Sequence, residues 1–265
     1  MAISFGVAIL TNGISVEEEG ARFFAQSSNP NQLAVYCFGV MVLAGRFLPL
    51  SLGLPVIAGA VYVGALTRSA AFVLGSLTSV VAIAWFASLH RKRGLATIAL
   101  ATSVVAVVGL FLLLASEDLR QKVVGIWIKS DGGEKGARFP LMINGLKAVF
   151  SSPKSIVVGN GAGAFSGISA PFEAWEAHNT VVDLATICGI FLPGVIYWNL
   201  VRYVIRLISA RHYLSAGLTT GFIIMSIFHF IARHFIFWVI LCLAVVDADE
   251  MKRVPVLSSR RAREG

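Results

Sequence analysis

The chain reads as an all-α, polytopic membrane helix bundle of about seven spans plus an N-terminal stub, with one large extracytoplasmic loop that contains a surface helix. Three observations predict this. Of 265 residues, 57% are hydrophobic and only 14% charged, and the mean hydropathy of +0.79 lies far above that of a soluble domain. The apolar residues come in continuous runs of about 15 to 21, the length of a spanning helix. That excludes a soluble enzyme, and also an outer-membrane barrel, whose strands alternate over about ten residues. Finally, the basic residues behind a formal net charge of +8 fall in short clusters between the runs. Such clusters orient a chain across a membrane, so lipid is the expected partner and nucleic acid is not.

Runs and breakers predict spans near 32–45, 47–66, 69–89, 95–115, 179–201, 214–232 and 235–246. Residues 1–12 form a stub of about 18 Å as a helix against about 30 Å of hydrocarbon, either re-entrant or left by truncation. No signal peptide is expected, because the first apolar stretch lacks a basic n-region and a small-residue cleavage site. Arg46, Arg91, Lys92, Arg93, Arg202, Arg206, Arg211 and the tail residues Lys252, Arg253, Arg260, Arg261 and Arg263 fall on one side, against Arg22, Arg68 and Arg233 on the other. The richer side is cytoplasmic. Residues 1–265 then form one membrane domain, with a large outer loop at 116–178 and a basic cytoplasmic tail at 247–265. Cys37, Cys188 and Cys242 lie in apolar runs without metal-ligand spacing and read as packing residues.

Within the loop, Pro140 opens a helix whose Leu141, Ile143, Leu146, Val149 and Phe150 cover one broad face, as in a helix lying on a membrane surface. Ser151, Ser152 and Pro153 end it. The run Gly159, Asn160, Gly161, Ala162, Gly163, Ala164, Phe165 has little side-chain bulk, so its backbone can approach a ligand closely.

His178 and Asn179 stand where the loop re-enters the membrane, which places an imidazole at the water–lipid boundary as a candidate general base. The plainer alternative is an interfacial histidine with an asparagine helix cap. Arg68, alone between two apolar runs, suits an anionic ligand such as a lipid-linked phosphate, or else snorkels from a helix end. Arg138 and Arg22 carry the same two readings, and Arg233 with His234 forms another candidate pair. Asp183 is the one acidic residue expected within a span, either functional or a cap for a neighbouring helix. No outer-face cluster has metal-ligand spacing, so a metal-independent site without a cofactor is expected.

In order along the chain, Asn29-Pro30-Asn31, Thr67-Arg68-Ser69, Arg138, Gly159, Gly161, Gly163, Phe165, His178-Asn179 and Gly189 resemble the pattern of the O-antigen ligase and O-antigen polymerase family of bacterial membrane glycosyltransferases. The resemblance covers nearly the whole chain. It implies an inner-membrane protein whose 116–178 loop is periplasmic, and which moves a glycan from an undecaprenyl-pyrophosphate carrier to an acceptor hydroxyl, lipid A-core for a ligase or a growing glycan for a polymerase. It also implies that Arg68 and Arg138 hold the pyrophosphate, with Arg22, Asn179 and the glycines beside them, while His178 activates the hydroxyl. The chain departs from the pattern in two places. Family members have further spans before the Asn29 region, and they often carry an acidic residue where Ile187 stands. A transporter and an inactive truncated homologue are the alternatives outside this activity.

Overall fold

The computed structural model describes residues 29–67, 69–88, 138–161 and 176–261. Among them there are nine helices and no strand: α1 (Pro30–Phe47), α2 (Leu50–Leu66), α3 (Ala70–Ser88), α4 (Arg138–Val149), α5 (Pro153–Val158), α6 (Thr180–Cys188), α7 (Phe191–Ser209), α8 (Tyr213–Ile227) and α9 (Phe235–Arg261). The stub at 1–12 and the expected span at 95–115 lie outside the described residues.

Local chemistry sets the helix starts. Asn29 caps α1, its side-chain oxygen accepting from the Asn31 amide at 2.8 Å, and Pro30 opens the first turn, where a missing N–H leaves nothing unsatisfied. Ser152 caps α5 in a reciprocal capping box with Ser155, with Pro153 at the start of the helix. At the C-terminal end of α2 the buried Thr67 hydroxyl donates back to the Gly64 carbonyl at 2.6 Å.

The core is held by aromatic rings and by a seam of small residues. Phe38, Phe72, Phe222 and Phe237, from α1, α3, α8 and α9, are fully buried. Their ring centroids lie 5.6 Å apart for Phe38–Phe72 and 6.1 Å for both Phe38–Phe222 and Phe222–Phe237. The α3–α8 contact is the most extensive in the bundle. Gly75 and Ser79 face Gly217 and Gly221 there, so closely that a Cβ added to Gly221 would sit 2.3 Å from the Gly75 carbonyl oxygen. Spacings of small-xxx-small are how two helices bring their backbones together in lipid.

Two helices, Ala70–Ser88 and Phe191–Ser209, are long and apolar enough to cross a membrane, and only 28% and 33% of their apolar windows are buried within the bundle. The remaining faces present Val73, Leu77, Val80, Val195, Trp198 and Ile205 outward. The shorter α2 leaves Leu50, Leu52, Leu54, Val56, Val61 and Tyr62 exposed. Apolar surface of this extent suits hydrocarbon rather than water.

Three expectations need correction. The span expected at 179–201 is two helices, broken at Gly189 and Ile190, where Gly189 takes φ +79°. The tail expected from residue 247 is helical to Arg261, and its first residues, Asp247 and Ala248, are buried in the bundle. The loop helix divides its apolar face: Leu141, Gly145 and Val149 are buried, with α4 packed on α6, whereas Leu146 and Phe150 point away.

The helix ends gather into two polar layers. In one, Asp247 accepts from both Arg46 Nε and Nη2, the latter at 2.6 Å, and from the Tyr203 hydroxyl at 2.6 Å, while Arg206 donates to the Ala248 carbonyl at 2.8 Å. Ser215 joins that layer through the Gly45 carbonyl at 2.8 Å. The other layer contains the histidines.

Candidate functional site

The first turn of α6 organises the site. Asn179 caps the helix, its side-chain oxygen accepting from the Val181 and Val182 amides at 3.0 and 3.1 Å. Immediately before it His178 takes φ 54°, a left-handed conformation that a non-glycine residue adopts at a cost and that recurs at functional sites. The buried Asp183 carboxylate reaches back over this turn, accepting from the Ala177 amide at 2.8 Å and from the Asn179 amide at 3.1 Å. Asp183 therefore braces the entry of its own helix.

Thr180 ties the same turn to the α8–α9 connection. Its hydroxyl donates to the His229 carbonyl at 2.7 Å and accepts from the Ile231 amide at 2.9 Å. This brings in a residue that sequence reasoning missed. The His178 and His229 rings are nearly parallel, 7° between planes and 6.3 Å between centroids, and His234 follows at 6.2 Å from His229. Tyr36 of α1 closes the row with its ring edge-on to His234, centroids 5.9 Å apart. His229 lay hidden in the apolar run 214–232, and nothing local in the sequence marks it as a neighbour of His178.

Above the row, Arg233 donates to Glu176 at 2.8 Å across a partly exposed ion pair. The expected pairing of Arg233 with His234 is thus electrostatic rather than bonded. His234 is buried, and among the described residues its Nε2 has no hydrogen-bond partner. Burial first, and the Arg233 charge second, push its pKa down to about 4, so its ring is neutral near pH 7.

The glycines stand elsewhere. Gly159, at φ +72°, makes its close approach to the chain's own backbone: a Cβ there would lie 2.3 Å from the Ile187 carbonyl oxygen. The Asn160 and Gly161 amides donate to the Thr186 and Ile187 carbonyls at 2.8 and 3.0 Å, and the Ile190 amide donates to Ile156 at 2.9 Å. This ladder sits at the C-terminal end of α6, about 13 Å along the helix from His178 at 1.5 Å per residue. The structure thus brings His178 and Asn179 together with Asp183, His229, Arg233 and His234, but not with Gly159 and Gly161. Gly161, at φ +89°, has open space where a side chain would stand. Arg138 begins α4; Arg22, Arg68 and Gly163 lie outside the described residues.

No known family pattern, curated protein or solved structure matches this chain.

Chemically, the site offers an imidazole on a braced, strained turn, a second imidazole parallel to it, and a guanidinium close by. The imidazoles can accept a proton from a hydroxyl, while the guanidinium is paired with Glu176. Among the described residues, no group of three His, Cys, Asp or Glu side chains is placed to hold a metal ion.

Proposed function

We propose that the chain is a multi-pass protein of the bacterial inner membrane that transfers a glycan from an undecaprenyl-pyrophosphate carrier to an acceptor hydroxyl at the periplasmic face, in the manner of an O-antigen ligase with lipid A-core as acceptor. The observation that carries the reading is His178, held in a left-handed conformation at the mouth of α6 by Asp183 and Asn179. Strain of this kind persists only where the surroundings over-determine it.

In this reading His178 takes the proton of the acceptor hydroxyl as its oxygen bonds to the anomeric carbon, and the bond from that carbon to the pyrophosphate oxygen breaks. The departing carrier keeps the electron pair. Arg68 and Arg138 stabilise the leaving charge, with Arg22 and Asn179 bordering the donor. A pyrophosphate already leaves readily, so cations and a neutral base suffice without a metal or other cofactor.

The test is the glycan ladder of a ligase-deficient bacterium with a compatible O-antigen pathway. The natural chain restores capped lipid A-core, and His178→Ala at matched membrane level does not; activity retained by His178→Ala overturns the reading. Lengthened carrier-linked chains in place of capped core identify a polymerase using the same donor.

A further inference from the structure

We infer that Asp183 is the positioning residue of His178, the group that selects the imidazole's direction by fixing the backbone on both sides of it. The inference rests on the proposed role of His178, but its geometry stands independently. The two carboxylate oxygens divide their work: Oδ1 accepts from Ala177 and Oδ2 from Asn179, the residues flanking His178. The brace therefore spans the residue whose φ of 54° departs from extended or helical backbone. A left-handed histidine relaxes toward ordinary φ unless both flanking amides are held, and relaxation there swings the Cα–Cβ bond and the ring with it.

The position of the brace on the helix supports this. Asp183 is in the first turn of α6, where unpaired amides and the positive end of the helix dipole stabilise a buried carboxylate. Asn179 already satisfies the Val181 and Val182 amides, so Asp183 is left for the loop. Thr180, between them, anchors His229 and Ile231, so the same turn registers the parallel His229 ring against His178. A carboxylate accepts at both oxygens, whereas an asparagine accepts at one and presents a donor at the other. The chemistry thus predicts a graded series.

The experiment compares the natural chain, Asp183→Asn, Asp183→Ala and His178→Ala as full-length proteins in membranes, at equal abundance and with matched thermal unfolding in detergent. Turnover is measured against donor concentration. Misplacing a reacting group by about 1 Å costs about a hundredfold, so kcat should fall by about that factor in Asp183→Ala and by less in Asp183→Asn, with KM for the donor unchanged. A purely structural role predicts equal loss of folded protein with unchanged turnover per folded molecule. If both Asp183 variants turn over like the natural chain while His178→Ala is inactive, the positioning role is overturned and the proposed function stands. If His178→Ala is active, the functional reading itself fails. Should Asp183→Ala not reach the membrane, Asp183→Asn alone decides between reduced and natural kcat.

Discussion

Asp247 and Asp183 are both buried carboxylates on helices, yet the bundle uses them in opposite ways. Asp247 meets side chains: the Arg46 guanidinium grips it with two nitrogens, and the Tyr203 hydroxyl adds a third bond. Asp183 meets backbone, accepting from the amides of Ala177 and Asn179. The first arrangement joins α1, α7 and α9 through charge compensation. The second brackets one residue from both sides and imposes a conformation on it. Ion pairing at one end thus holds helices together, while carboxylate–amide bonding at the other holds one imidazole still.

The contrast breaks if loss of Asp247 leaves stability untouched. Removing it strands a part-buried guanidinium, and Asp247→Ala should cost about 3 to 5 kcal/mol, read as a large fall in the unfolding midpoint in detergent. Tyr203→Phe removes one bond to the same carboxylate and leaves the ion pair, so the loss should be about 2 kcal/mol, measured in the same way.

At the histidine end the expected signature is pH dependence. His234 titrates at about 4 when folded against 6.5 for an unperturbed histidine. Between those values the unfolded chain binds a proton that the folded chain does not, so the stability tied to this residue is full above about pH 6.5 and is lost as pH falls toward 4. His234→Phe should flatten that part of the curve in thermal unfolding from pH 7.5 to pH 4; an unchanged slope would show that its ring titrates freely. The smallest effect is expected at Gly161. Its positive φ strains any side chain, but the space around it is open, so Gly161→Ala should cost about 1 kcal/mol in the same unfolding assay.

Much of the bundle was legible because its signals are local. The apolar runs at 32–45, 47–66, 69–89 and 214–232 correspond to α1, α2, α3 and α8 within a few residues, bounded by Asn29-Pro30, the turn at Thr67 and the turn at Arg211 and His212. The Ser152-Pro153 boundary held for the same reason. The single span read over 179–201 failed because hydropathy runs unbroken through Gly189, whose positive φ serves a close approach to the Val157 carbonyl some thirty residues away. Asp247 looked like the start of a polar tail because Asp249 and Glu250 follow it, and its partner Arg46 stands 201 positions earlier. His229 was masked by its apolar neighbours, and its alignment with His178 depends on Thr180, 49 positions before it. The pair Gly217 and Gly221, spaced as membrane helices space their contact glycines, is a local signal that the sequence reading passed over.

The length of α9 carries a mechanical consequence. Its 27 residues measure about 40 Å at 1.5 Å per residue, a single rod whose register along the bundle is latched where Asp247 meets Arg46. Slippage by one turn, about 5.4 Å, would unlatch that pair and carry His234, at the rod's other end, out of line with Tyr36 and His229. The alignment of the histidine row is thereby gauged from the far side of the molecule, by a latch that touches none of its members.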